Sequence, residues 1–553
     1  IYRMPNQTSQ VVAALYPNGF LPLINSNIVD KSFSLGIRGK IQDWNVDFSN
    51  TYGTNSFMFG VENSNNASLG TESPTSFQCG GFAFTQNTTN FDMNKYFDKV
   101  LSGFNVAFGA EFRVDNYEIF AGEEKSYRNY GLRDIVNVKT VTRPDGTSFN
   151  YNEVVGQFDA LGKVGGAQVF PGFKPSNEVN KYRTNAAAYL DLEADITKKF
   201  TIGAAARYEN YSDFGSTLNG KLTARVVLAE GYSLRGAVST GFRAPSLQQS
   251  YFSAVSTLFI GGAPFETGTF TNDSRAAQIL GIPKLKQETS VNASLGITAE
   301  PVKGLTLSVD GYYIKINDRV VLTGQFRGNA AAAVGTQDRT INDLLFSVGA
   351  NTGQFFTNAI NTTTMGLDVV AAQKFDIGKG NLDVSLAANF NKTTVGDDIK
   401  TTDLLKGKEA NYFDREQRAV FETGNPQNKV NLTLTYKINK FSIMVRNVRF
   451  GEITYRHPSD GGDPSAFVLN NFTGQKETRD QTFSAKMVTD ITLSYQIAKN
   501  LGLTIGANNL LDVYPDRNAH SDNASSGRFP YSRRITQFGF NGAYYFGRLS
   551  FSL

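Results

Sequence analysis

One cysteine, one tryptophan and two histidines stand among 553 residues, and each scarcity closes off a class of function. The lone Cys79 excludes an internal disulfide framework and a cysteine-based zinc cluster. His457 and His520 both sit in polar stretches that read as loops, which argues against a multi-histidine metal centre or haem capture. No metal site and no resident cofactor are therefore expected. No run of about 18 apolar residues occurs, so no membrane-spanning helix is expected either. The net charge of +4 is small for this length, and no basic tract points to nucleic acid. The opening IYRMPNQTSQ has no initiator Met and no secretory leader, as expected of a chain whose N-terminal part is missing.

What the chain has in quantity is aromatic and glycine residues: 43 Phe, 24 Tyr and 52 Gly. Strict alternation runs through long segments. In KFTIGAAARYENY, Phe200, Ile202, Ala204, Ala206 and Tyr208 oppose Thr201, Gly203, Ala205, Arg207 and Glu209. In TLNGKLTARVVLA and YSLRGAVSTGFRA, Leu222, Ala224, Leu234 and Val238 oppose Lys221, Arg225, Arg235 and Arg243. Period 2 means strands with two unlike faces. Arg, Lys and Glu in mid-strand suit a water-filled or plugged lumen and not a soluble sandwich core. Aromatic girdles and tight turns explain the composition, and lipid-facing residues at every second position explain the lack of apolar runs.

The connections alternate in length. Short ones fall at Gln42-Asp43, Lys99 to Ser102, Thr197-Lys198, Glu230-Gly231, Glu300 to Gly304, Asp376 to Gly380, Asn439-Lys440 and Lys499-Asn500. Long ones fall between them: Val61 to Phe84, Ala121 to Tyr182, Ala244 to Lys286, Leu322 to Gln354, Gly396 to Asn428, His457 to Ala485 and Val513 to Ser532. Ser212 to Ser216 is the one short member of that second set. Short periplasmic turns and long extracellular loops are the habit of transmembrane barrels. The fold expected is all-β: a transmembrane antiparallel β-barrel with about 17 strands after Asp30, helices being confined to loops such as Arg275 to Leu280. Ile1 to Met4 is expected to be the end of a further strand, Pro5 to Val29 a loop, and Thr536 to Leu553 a long closing strand with Phe538, Phe540, Tyr544 and Phe546 on one face. Plugged barrels with such loops are of the 22-stranded type, leaving about five strands upstream and an unpaired outer edge on the closing strand.

The motifs resemble one family. LRGAVSTGFRAPSLQQSY, with Gly241, Phe242, Arg243, Ala244 and Pro245 leading into a long loop, resembles the mid-barrel motif of TonB-dependent outer-membrane receptors. KQETSVNASLGI resembles the strand start that follows it, and GANNLLDVYPD, with Asn509, Leu510 and Asp512, the penultimate-strand motif. YPNGFLPLI, Asn63 to Phe82 and FGFNGAYYFGRLSFSL look like a Bacteroidetes-type branch. The resemblance spans essentially the whole of residues 1–553 as a single barrel domain. It implies a cell outer-membrane transporter of a Gram-negative bacterium. That protein imports a scarce large nutrient such as a ferric siderophore, driven by the proton-motive force through TonB. The implied partners are TonB, an N-terminal plug domain, outer-membrane lipid or lipopolysaccharide, and a surface-exposed lipoprotein. Two departures stand out: the plug and TonB box of the family are not in this sequence, and the last residue is Leu553 where many members end on an aromatic.

Arg207, Arg225, Arg235 and Arg243 share the polar face of adjacent strands. They could attract an anionic cargo or dock a plug, or simply belong to a solvated wall with partners such as Glu209. Phe252, Phe259, Phe265 and Phe270 lie at or in a long loop, suited to gripping a ligand or to packing the loop. Tyr455 and Arg456, with His457, open another loop and carry the same two readings. No strand places a nucleophile, base and acid together, so an enzyme is not expected and no catalytic residue is assigned. The rivals to active import are a passive porin and a structural or secretion-associated barrel that docks other envelope proteins.

Overall fold

The computed structural model describes residues 2–552 apart from 144–145, 261–262, 275–276, 279, 325, 330, 348–351, 462 and 526. Its alternating segments are the strands of one antiparallel wall. Among the described residues the wall strands are β1 (Leu23–Ile41), β2 (Trp44–Glu62), β3 (Phe77–Phe97), β4 (Phe104–Phe120), β5 (Val179–Thr197), β6 (Phe200–Tyr211), β7 (Gly215–Ala229), β8 (Tyr232–Arg243) and β9 (Glu288–Ala299). The series continues with β10 (Leu305–Leu322), β11 (Thr352–Ile377), β12 (Gly380–Val395), β13 (Asn428–Ile438), β14 (Phe441–Phe450), β15 (Lys486–Ala498), β16 (Leu501–Asn508) and β17 (Tyr544–Phe551). Each pairs antiparallel with the next. The alternation of the sequence thus marked the wall strands. Among the described residues β1 pairs with β2 and β17 with β16, each having that one strand neighbour in the wall.

Turn chemistry sets the register at the short-turn end. Gln42 and Asp43 both have positive φ, 48° and 67°, the mirror-image turn whose twist suits a two-residue hairpin. Gly231 does the same work between β7 and β8 at φ 75°.

The two faces separate as the alternation requires. Leu190, Leu192, Ala204, Leu218, Leu222 and Val238 line one shallow apolar hollow on the outside of the wall. Leu218 is 70% exposed and Leu295 62%, which is tolerable only where lipid replaces water. The opposite face carries the arginines. The wall therefore has no core of its own. The buried apolar side chains gather among the long loops, in one cluster built on Leu280, Phe326, Leu345, Phe355 and Tyr412 and a second on Tyr117, Phe173 and Leu247.

Several expectations need correcting. Arg3 makes an isolated antiparallel bridge to Phe20 and is not the end of a wall strand; its N–H and carbonyl are satisfied locally at 2.7 and 3.0 Å. β1 begins at Leu23, inside the expected loop, and the segment between β2 and β3 shortens to a 3-10 turn at Ala67–Glu72 and its flanks. The loop from Ala121 contains a hairpin of Leu132–Thr142 with Ser148–Asp159. The closing strand is only Tyr544–Phe551. Phe538 instead packs on Phe450 at 5.3 Å, and Gln537 donates to the carbonyls of Gly451 and Ser484, so tertiary contacts hold this segment out of the wall. Tyr545, Leu549 and Phe551 pair with Ala507, Leu503 and Leu501 on the apolar face, while Tyr544 and Phe546 lie on the other. The expected oily face of this strand was one residue out of step. Among the described residues the loop helices are Leu247–Tyr251, Gln337–Ser347, Glu409–Tyr412 and Arg415–Glu422, besides a short one at Glu124–Tyr127; Arg275 to Leu280 lies partly outside the described residues.

Candidate functional site

The polar face of the wall, toward the long-loop end, carries a ladder of ions. Asp115 (β4) accepts from Nε and Nη2 of Arg183 (β5) at 3.3 and 3.0 Å. Both side chains are buried, and Arg183 also donates to the Pro245 carbonyl at 2.7 Å. The Tyr211 ring packs beneath the guanidinium groups of Arg183 and Arg113, 5.4 and 5.7 Å from its centroid. Its hydroxyl accepts from Arg113 at 2.8 Å and donates to Glu209 at 3.0 Å. Glu209 in turn accepts from Arg207 at 2.7 Å, and Arg207 reaches Glu111 at 3.3 Å. Burial of so many charges is tolerable because each has an opposite charge within 4 Å, although Arg113 meets Glu111 and Asp115 only at 3.8 and 3.6 Å.

The four arginines singled out from the sequence do share one face, with unequal surroundings. Arg207 belongs to the ladder. Arg235 forks onto Asp310 at 2.9 and 2.7 Å, and Arg243 donates to Glu288 at 2.7 Å. Arg225 lies directly opposite Arg235 in the register and, among the described residues, donates to the Ser233 hydroxyl at 3.4 Å. Like charges across a strand pair repel, and Asp310 relieves only one of the two.

The aromatic and loop candidates are placed differently. Phe252 packs edge-on against Phe173 at 6.2 Å inside a loop cluster. Phe270 stacks on Phe355 at 5.8 Å. The side chains of Phe259 and Phe265 lie outside the described residues. Tyr455 is half-buried beside Glu416, and that burial pushes its phenol up, with Glu416 adding to the rise. Arg456 sits at 3.9 Å from Asp480, which is held mainly by Arg415 at 2.7 and 2.8 Å. Burial, helped by the Arg479 charge, lowers His457 from 6.5 to about 4. Its ring Nδ1 accepts from the Ser459 N–H at 3.2 Å.

The family-like motifs serve as joints. Arg243 ties β8 to β9, while the Pro245 carbonyl is fixed by Arg183, and Ser246 then caps the helix Leu247–Tyr251. Asn509 and Asp512 take positive φ, 52° and 54°. The Asn509 side chain donates to the Val513 carbonyl and accepts from its N–H, at 2.8 and 2.9 Å. Leu510 N–H bonds the Thr489 carbonyl, and Asp512 accepts from the Ala543 N–H at 2.9 Å, which aims the chain into β17.

One polar cleft of about 680 Å3 opens among the loops, with Lys284, Lys286, Lys400, Asp318 and Asn358 in its lining. Asp318 accepts two ammonium groups, Lys286 at 3.1 Å and Lys400 closer still, and with Asp403 also in the lining the cleft holds three lysines against two carboxylates. These lysines, and Arg113, Asp115 and Arg183, were missed in the sequence. The ladder had a signal, since Glu111, Arg113 and Asp115 alternate with apolar residues in FGAEFRVDNYEIF. The cleft had none, because its residues come from separate loops. Among the described residues no group of His, Cys, Asp and Glu is arranged to hold a metal ion.

The chain matches the family model for "TonB dependent receptor-like, beta-barrel" over residues 8–510. It is 23% identical over 206 residues to an iron-regulated outer membrane virulence protein of Vibrio cholerae, covering 37% of this chain and 28% of that one. It is 28% identical over 142 residues to the ferric enterobactin receptor PirA of Pseudomonas aeruginosa, covering 25% of this chain and 18% of that one. The chain thus matches less than a third of either relative. In structure it resembles the siderophore receptor PirA of Acinetobacter baumannii, with a TM-score of 0.57 and 14% identity over 96% of this chain and 63% of that one. It also resembles the ferripyoverdine receptor of P. aeruginosa, with a TM-score of 0.54 and 12% identity over 94% and 56%. A large antiparallel wall with one lipid-facing side, short turns at one end and packed loops at the other agrees with that match: the chain belongs to the family of TonB-dependent receptor β-barrels of the Gram-negative outer membrane.

Proposed function

We propose that this chain is the barrel of an active importer that takes up a ferric siderophore, with a plug domain and TonB coupling uptake to the proton-motive force. The observation that carries the reading is the polar face of the wall. It holds paired charges along its length and, four residues from the short-turn end of β7, Arg225 without a carboxylate partner among the described residues, while the loops beyond the wall add the Lys284–Lys286–Lys400 cleft. A wall that served only as a scaffold has no need to leave cations uncompensated beside water. The relatives whose names mention ferric enterobactin and siderophores support the choice of cargo. Arg225 is the arginine of the four assigned to cargo or plug contact, while Arg207, Arg235 and Arg243 brace the wall. The role is transport, and no catalytic residue is assigned.

Deleting the protein should slow growth under iron limitation and abolish uptake of a radio-iron-labelled siderophore, and the full-length protein should restore both. Unchanged growth and uptake in the deletion strain would overturn the reading.

A further inference from the structure

The ladder between β7 and β8 stops short. The two strands pair from the short turn up to Lys221, opposite Ser239, and no further. Both strands continue, β7 back to Gly215 and β8 on to Arg243. At the stopping point the Gly220 N–H donates to the Thr240 hydroxyl at 3.0 Å instead of extending the ladder. Since the Gly220 N–H points across the seam, the N–H and carbonyl of Leu218, two residues away, point the same way. Among the described residues Leu218 and Asn219 have no register partner in β8, and Gly241 and Phe242 have none in β7.

The break is a window and not a frayed end. Above it, Arg183 holds the Pro245 carbonyl at 2.7 Å, and the Tyr211 ring meets the Phe242 ring edge-on at 5.9 Å. Tyr211 shares the polar face with Arg207 and Glu209, and Phe242 the apolar face with Val238. Rings on opposite faces of an intact sheet are kept apart by its backbone; here they touch. Leu218 is eleven residues from Ala229 at the short-turn end, and Phe242 is ten from Tyr232. About ten residues of tilted strand cross the apolar layer of a membrane. The window therefore stands at the outer edge of the hydrocarbon, where backbone groups without partners are costly.

Two unlike surfaces meet there. On the lipid side lies the apolar hollow of about 630 Å3, with Leu190, Leu192, Leu222 and Val238. Its lining also takes in Asn219, Lys221 and Ser239, which alternate onto the polar face. Lys221 has Ala205 and Ser239 beside it in the register, and among the described residues no carboxylate pairs with its ammonium. Other cations of that face are answered: Arg207 by Glu209, Arg235 by Asp310 and Arg243 by Glu288. Water in the lumen can solvate a lone lysine. It gives no reason for an apolar hollow and a broken ladder at the same point.

We infer that the window is a binding site for a single-chain amphiphile with a carboxylate head, a long-chain fatty acid by chemical class, entering from the outer leaflet. The chain lies in the hollow. The carboxylate enters the break, accepts from the Leu218 N–H and pairs with Lys221. The unanswered ammonium selects an anionic head, and a break only a few residues long selects one chain. The inference rests on the lipid-facing side of the wall and is independent of the cargo.

The test uses the full-length protein in a neutral maltoside detergent. The probe is palmitate carrying a photoreactive diazirine close to its carboxylate, and its methyl ester is the control. Crosslinks are mapped by peptide mass spectrometry, and retention is read by native mass spectrometry. Palmitate should label Leu218–Leu222 and Val238–Phe242, and the ester should not. Lys221→Gln should weaken retention by about 10-fold or more, the effect of losing one charge-assisted hydrogen bond, and Lys221→Arg should retain the probe. Ala206→Phe, which fills the hollow from the lipid side, should weaken retention with Lys221 intact. All three variants should keep the heat-modified migration of the native protein, which separates a lost site from a lost fold. Equal labelling by the ester, labels spread evenly around the wall, unchanged retention in Lys221→Gln or in Ala206→Phe, or equal competition by a two-chain phosphatidate would overturn the site. Siderophore uptake by cells carrying Lys221→Gln should persist, so failure of the window and failure of the import reading are distinguishable.

Discussion

At the scale of single residues, the charges on the polar face divide into those that hold the wall and those free to meet something else. Asp115 belongs to the first kind. It is 2% exposed and neutralises the buried Arg183, which in turn anchors the loop leaving β8. Asp115→Asn keeps the shape and removes the charge, leaving the buried Arg183 guanidinium only the longer pair with Asp213 at 3.7 Å. Breaking a buried pair from one side costs about 3–5 kcal/mol, so the denaturant midpoint of the refolded full-length barrel should fall accordingly. Arg225→Gln should leave that midpoint nearly unchanged, because this side chain gives up only a long hydrogen bond to Ser233. Reading the four arginines as one group from alternation was right about the face. Which of them were already paired depended on Asp310, Glu288 and Glu111, two on strands that alternation alone could not align and one on a neighbouring strand pair.

At the scale of elements, the long loops are small packed structures. Arg415, on the helix Arg415–Glu422, forks onto Asp480 of the next loop, and Asp460 of that loop is fully buried against Arg479. His457 lies between these, facing Arg479, Asp460, Asp480 and Asp522. Its folded-state value of about 4, below the ordinary 6.5, means the folded loop refuses a proton that the unfolded loop accepts. Stability then rises with pH wherever the unfolded form binds more protons. The loop from Phe450 to Lys486 should therefore loosen as pH falls from about 6.5 toward about 4. Hydrogen exchange of that loop in the full-length protein reads this directly. His457→Gln should flatten the dependence in that window, leaving only the loss of Asp460, whose carboxyl is held low by Arg479, at more acidic pH.

At the scale of the molecule, the wall separates two solvents. Leu295 and Ser294 are neighbours in β9, yet Leu295 faces the side of Leu222 and Val238, and Ser294 the side of Tyr312 and Ala237. Leu295→Arg should cost about 2–4 kcal/mol in lipid vesicles, as for a cation at mid-membrane, while Ser294→Arg should cost far less. Equal penalties for both, measured by unfolding in vesicles, would contradict the assignment of faces. The expectation of active import belongs to this scale too, since it depends on a plug and on TonB as much as on the wall.

The sequence by itself determined which segments are wall strands, the two faces of most of them and the end of the wall that bears the loops. Those are local properties: alternation sets which side chains meet lipid, and turn residues such as Gln42-Asp43 and Glu230-Gly231 close hairpins between neighbours. Only the tertiary structure decided the rest. The cleft joins Lys284 and Lys286 to Lys400, more than a hundred residues apart, and no local pattern encodes such a meeting. The final segment makes the same point. Read alone, Thr536 to Leu553 looks like one long strand. Contacts of Gln537 and Phe538 with distant backbone and rings hold its first part among the loops and leave Tyr544–Phe551 to the wall. Where a strand begins was settled by what its flanks could bury, and that competition exists only in the folded chain.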